Sequence, residues 1–116
     1  MDIIFYEDKN GNSELENFIN ELNIKARTDK SAKIALKRIY YYLDILQNMG
    51  TRGGEQYTKH IEDDIWELRP GDYRIMFFIH DNYVLLTHFR KETQKTPKRE
   101  IEKAKKFMND WLDRSL

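Results

Sequence analysis

Between Ile65 and Lys91 the chain runs IWELRPGDYRIMFFIHDNYVLLTHFRK, and no other stretch narrows the possible fold as much. Three runs rich in Val, Ile, Leu, Tyr and Phe are separated by only a few residues each, which predicts three consecutive strands in hairpin succession. Pro70-Gly71 marks the first turn, with proline fixing φ at the first central position and glycine accepting a positive φ at the second. Asp81-Asn82 marks the second turn. The titratable side chains of this apolar segment gather at strand ends. Glu67 and Arg69 share one face of the first strand by period-2 alternation; Arg74 opens the second, and His88, Arg90 and Lys91 close the third.

The flanking segments supply helices. Residues 2–6 predict a short first strand, ended by Asp8-Lys9-Asn10-Gly11-Asn12. Ser13 and Glu16 form a capping-box pattern, and Leu15, Phe18, Ile19 and Leu22 follow at helical spacing. A second helix starts near Thr28 or Asp29 with Ala32, Leu36, Ile39, Leu43 and Leu46 as its stripe and Gly50 as its stop. The run Tyr40-Tyr41-Tyr42 goes round this helix, so at least one ring faces solvent. Residues 50–64 predict a loop or irregular strand broken by Gly53-Gly54. Thr96-Pro97 places an N-cap before proline at the first position of a last helix, with Ile101, Ala104, Met108, Trp111 and Leu112 as its seam. The order β-α-α-β-β-β-α predicts one α+β domain over residues 1–116, an antiparallel sheet with helices packed on one face.

Charge is balanced overall, with 20 Lys and Arg against 20 Asp and Glu, so no global field points to nucleic acid. It is unevenly spread: residues 1–64 carry 9 basic and 12 acidic side chains, and residues 65–116 carry 11 and 8. Residues 90–106 alone hold 8 basic side chains against 3 acidic ones, which fits either a solvated helix face or a local anion contact. Without cysteine there is neither a disulfide framework nor thiolate chemistry. No run approaches the ~20 apolar residues of a membrane span. The start MDIIFYEDK lacks the pattern of a secretory signal, so a cytoplasmic location and no membrane partner are expected.

Metal and cofactor sites have no motif here. His60, His80 and His88 show no metal-ligand spacing, and no P-loop, dinucleotide fingerprint or nucleophile elbow occurs. What remains is a set of Arg and Lys residues beside a carboxylate and a histidine. Such a set suits RNA cleavage by the substrate's own 2′-OH, which needs a base, cations for the pentacovalent phosphate, and an acid for the leaving 5′-oxygen. Arg74 and Arg69 suit the cation role through bidentate pairing with phosphate. Glu67 is the first candidate base, with Glu62 or Glu55 behind it, and His88 or Lys91 the acid. The same residues also make an ordinary cross-strand ion pair of roughly 0.2–1 kcal/mol, with His88 a satisfied core imidazole. Pattern alone leaves both readings open.

The strings WELRPGDYRIMFFI and HFRKETQKTPKREIEKAKKF resemble the HigB-type branch of the RelE/ParE toxin superfamily. The resemblance covers Ile65-Trp66-Glu67-Leu68-Arg69 with Tyr73-Arg74-Ile75-Met76-Phe77, and His88-Phe89-Arg90-Lys91 through Thr96-Pro97, within a chain of similar length and element order. It implies a RelE-like fold: a small, antiparallel-rich twisted sheet with two N-terminal helices on one face and a C-terminal helix. It also implies a type II toxin–antitoxin toxin that cleaves mRNA in the ribosomal A site without metal or cofactor. A HigA-like helix-turn-helix antitoxin would neutralise it, and the complex would bind operator DNA. Arg74 matches the RelE-like arginine, and Arg90 or Lys91 the basic residue ending the next strand. The site residues expected are then Arg74, Glu67, His88, Arg90 and Lys91 for catalysis, with Lys59, Arg69, Lys95, Lys98 and Arg99 contacting RNA. The lysine pair of RelE-type members falls at Ile65 and Glu67, so a carboxylate base as in YoeB-like relatives is the coherent alternative. A ParE-like gyrase inhibitor and an inactive antitoxin-binding relative are the competing expectations.

Overall fold

The computed structural model describes residues 1–115. Strand β1 (Ile3–Phe5) leads into helices α1 (Glu14–Lys25) and α2 (Lys30–Met49), a 3-10 turn at Gly50–Gly53, then β2 (Thr58–Glu62), β3 (Ile65–Leu68), β4 (Tyr73–His80), β5 (Asn82–Arg90) and helix α3 (Lys98–Arg114). Five strands form one sheet in the order β1-β5-β4-β3-β2. β1 runs parallel to β5 and the other neighbours are antiparallel, so the sheet is mixed. The class is α+β, as expected, and the architecture is RelE-like.

Local chemistry accounts for the helix starts. The Ser13 hydroxyl accepts from the Glu16 amide at 3.1 Å, and the Asp29 carboxylate accepts from Ser31 and Ala32. Gly50 ends α2 at φ +62°, a backbone that residues with a Cβ resist. At the β3–β4 turn the Tyr73 amide donates to the Pro70 carbonyl at 3.1 Å, so Gly71, at φ +62°, is the first central residue rather than the second. A positive φ at that position matches the twist of a hairpin, which the phase expected from Pro70 would splay.

Both faces of the sheet are covered. Helices α1 and α2 share one face, as the resemblance implied, and α3 takes the other, where element order alone predicts all the helices on one face. Leu68, Ile75, Phe77 and Leu85 pack with Leu15, Ile19, Leu36, Ile39 and Leu46 of α1 and α2. Ile65, Met76, Phe78, Val84 and Leu86 pack with Ala104 and Met108 of α3, flanked by Ile101, Trp111 and Leu112. The reason lies in β4 and β5, whose near-continuous apolar runs give each face an apolar set.

One irregularity decides which side chains share a face. Met76 pairs with Thr87 but Phe77 with Leu85, so Leu86 is an extra residue in β5. Beyond this bulge the alternation is reversed. Phe89, opposite Arg74, joins the α3 side, while His88, opposite Ile75, faces α1. Thr87, fully buried at the bulge, has no partner for its hydroxyl among the described residues. Thr87→Val keeps the shape and removes that desolvated hydroxyl, so a gain of about 1 kcal/mol in urea unfolding is expected. A loss of stability would show that the hydroxyl is satisfied in solution.

Candidate functional site

Glu67 is one of the few charged residues buried in the sheet, at 3% exposure. Its pairing with Met76 puts it on the α3 face. Arg69, one alternation further on, and Arg74, two residues before Met76, leave the sheet on the same side. The carboxylate gathers them: Oε2 lies 3.5 Å from Nε of Arg69 and 3.8 Å from Nε of Arg74, while Oε1 accepts from the Thr96 hydroxyl at 2.8 Å. Arg74, 6% exposed, also donates from Nη1 to the carbonyls of Gly71 and Tyr73, both at 2.8 Å. Arg69 donates to the Glu55 carbonyl at 2.8 Å.

One carboxylate thus faces two guanidinium groups at ion-pair distance, leaving a net positive charge that the exposed Asp72 offsets from further away. Burial pushes the Arg74 pKa down, Glu67 draws it back up and Arg69 lowers it again. An arginine stays charged through such a shift. Burying paired charges costs several kcal/mol per ion, which apolar side chains of similar volume would avoid. A cation cluster held this way is suited to an anion that arrives from outside.

Thr96 is the residue that sequence reasoning placed differently. Pro97, not Thr96, is the N-cap of α3 and has no side-chain acceptor to cap with, while the Thr96 hydroxyl donates to Glu67. That contact ties the segment before α3 to β3. Above it lies a groove of about 540 Å³ lined by Thr96 with Lys95, Lys98, Arg99, Glu62 and Glu92. Three expected RNA-contacting residues therefore sit together beside the cluster. Lys59, exposed on β2, pairs with Glu67 and faces the same side. The Lys91 amide donates to the Asp72 carbonyl at 2.7 Å, just beyond the end of β5.

His88 and Arg90 are not brought to this face. The His88 ring stacks on Phe18 of α1, with centroids 4.0 Å apart and planes at 15°. Arg90 lies 4.0 Å from Asp72 in an exposed pair. Burial lowers the His88 pKa; Glu14 and Glu21 raise it and Lys103 lowers it. The sign follows directly. A folded-state pKa below the unfolded value of about 6.5 gives stability that is present above that pH and lost as pH falls towards the folded value. Thermal midpoints are expected to drop between pH 7.5 and pH 5.5, and less so in His88→Phe; an equal drop in both proteins would remove His88 as the cause.

Of the three candidate bases, Glu67 has its oxygens engaged as described. The Glu62 carboxylate is held by Lys105, which also lies 3.0 Å from Asp63. Glu55 is exposed and holds Arg69 through its carbonyl. Among the described residues, no group of three or more His, Cys, Asp or Glu side chains is placed to hold a metal ion. No helix among them is long and apolar enough to cross a membrane.

No curated protein matches the chain. The family model of phage derived protein Gp49-like (DUF891) matches residues 17–109, from within α1 into α3, and so takes in the whole candidate site. That family is RelE-like and toxin-like. On a match covering most of its length, the chain belongs to the phage derived protein Gp49-like (DUF891) family.

Proposed function

We propose that the chain is an endoribonuclease of the HigB kind, the toxin of a type II toxin–antitoxin pair, acting in the cytoplasm on mRNA at the ribosomal A site. The observation that carries this reading is the buried Glu67–Arg69–Arg74 cluster with its net positive charge beside a groove rimmed by Lys95, Lys98 and Arg99. The substrate's 2′-OH attacks the adjacent phosphate and the 5′-oxygen leaves, so the ends formed are a 2′,3′-cyclic phosphate and a 5′-hydroxyl.

Arg69 is the outer member of the cluster, with 22% of its side chain exposed, and takes the developing charge on the phosphate. Arg74 supports it from below, and Glu67 holds both guanidinium groups in place without itself taking a proton. Lys91 donates to the leaving oxygen. Glu92 lines the groove and makes no ion pair among the described residues, so it serves as acceptor for the 2′ proton. His88 and Arg90, on the other face, have no part in this reaction. A HigA-like helix-turn-helix protein encoded alongside would neutralise the toxin and carry the complex to operator DNA.

The test is expression of the chain with and without its neighbouring open reading frame, followed by mapping of mRNA ends. Growth arrest, cyclic-phosphate ends and rescue by the neighbour are expected. Broken DNA with intact mRNA would replace this reading with gyrase inhibition. Intact mRNA and DNA in the presence of ribosomes would leave a binding module.

A further inference from the structure

Half of the basic side chains of residues 90–106 are neutralised by neighbouring carboxylates. There Arg90, Arg99, Lys103 and Lys105 each have a carboxylate within 4.0 Å. By contrast Lys25, Arg27, Lys30, Lys33, Lys37 and Arg38 fall within 14 residues at the end of α1 and the first half of α2. All six are exposed, and none makes an ion pair among the described residues. The one acid among them, Asp29, is turned to the amides of Ser31 and Ala32.

These cations also lead somewhere. Arg27, Lys30, Lys33 and Lys37 line one groove of about 480 Å³. Ile34 separates it from a second, of about 190 Å³, formed by Arg38 with Pro70, Gly71, Asp72 and Tyr73. In that second groove Arg38 lies directly on Gly71, where a Cβ would come within 2.6 Å of Nη1. The Gly71 carbonyl in turn accepts from Arg74. The stripe therefore passes from α2 over the β3–β4 turn to the buried cluster, with Asp72 the one acid lining that second groove among the described residues.

We propose that the outer face of α2 is a track for the phosphate backbone of single-stranded RNA, leading across Arg38 and Gly71 into the Glu67–Arg69–Arg74 site. This rests on RNA being the substrate of that site. Lys30, Lys33 and Lys37 repeat along about 10 Å of one helix face, which matches a ligand of repeated charge that needs no side-chain pocket. Tyr41, one turn beyond Lys37 and 57% exposed, adds a ring on which an unpaired base stacks. An acidic peptide would share the charge but not this preference for an open aromatic face.

The probe is a short fluorescent RNA, 2′-O-methylated throughout so that it cannot be cut, titrated with the full chain between about 50 and 200 mM salt. Four phosphates neutralised would give a slope of about −3 in log affinity against log salt. Lys33→Glu/Lys37→Glu is expected to weaken binding at least tenfold and flatten the slope by about 1.4. The same charge change on α3 and the β1–α1 loop, Lys9→Glu/Lys106→Glu, is expected to weaken it less than threefold. Absence of RNA binding by the natural protein, an unchanged α2 variant, or equal weakening in both variants would overturn the track. Cleavage of ribose mRNA by the same proteins separates the two proposals. Normal cutting with an unchanged α2 variant removes the track alone, and α2-dependent binding of an mRNA that is never cut removes the nuclease alone.

Discussion

Glu67→Ala is expected to cost about 3–5 kcal/mol, the range for removing one partner of a buried ion pair. Arg69 and Arg74 flank this carboxylate at 3.5 and 3.8 Å, and continuation of the β3–β4 register sets the two arginines opposite each other. Without Glu67 two guanidinium groups face one another with little water between them, and the Thr96 hydroxyl loses its acceptor. For a chain of this length the loss corresponds to a fall of roughly 12–25 °C in Tm. Glu67→Gln retains the shape and the Thr96 contact and should fall between the two proteins. Thermal and urea unfolding measure this; a loss under about 1 kcal/mol would show that the cluster is solvated as an ordinary surface pair is.

Arg69→Ala should lower the rate of mRNA cleavage by about 10²–10³, the effect of removing one preorganised donor to a developing oxyanion. The choice of Arg69 over Arg74 follows from burial. Arg74 holds the carbonyls of Gly71 and Tyr73 as well as Glu67, so its removal disturbs the hairpin turn and activity together. Arg69→Ala leaves Glu67 and Arg74 paired one to one, and its Tm should stay well above that of Glu67→Ala. Arg69→Lys restores the charge without the planar fork and should recover only part of the rate. Cleavage at the natural rate in a folded Arg69→Ala protein would take the phosphate away from this cluster.

Much of the fold was legible because its signals are local. The stripes Leu15-Phe18-Ile19-Leu22 and Ala32-Leu36-Ile39-Leu43-Leu46 both pack into the α1–α2 core, and Ser13 and Asp29 cap as their chemistry dictates. β2 was less clear: Lys59, His60 and Glu62 are the exposed residues of an edge strand, and edge strands carry charge for reasons that hide their pairing. Thr96 resembled a helix cap because a hydroxyl before proline does so in most contexts. Only the approach of β3 gives it Glu67 instead. The basic stripe of α2 was hidden by averaging, since the 12 acidic side chains of residues 1–64 cancel it in a half-chain count although only Asp29 falls between Lys25 and Arg38.

Sequence by itself determined the three consecutive strands, the helices and their buried faces, and the common parity of Glu67 and Arg69. Register brought Arg74 to them, as the alternation allowed. Which residues of β5 join them was decided only in the assembled sheet. Strict alternation from Val84 and Leu86 would put His88 on the Glu67 face and Phe89 away from it. The extra residue at Leu86 does the reverse, sending His88 to Phe18 and leaving Phe89 on the side of Glu67. A side-chain period of two makes every face assignment beyond a bulge depend on that one residue, and the bulge arises from how two strands fit against cores on both faces.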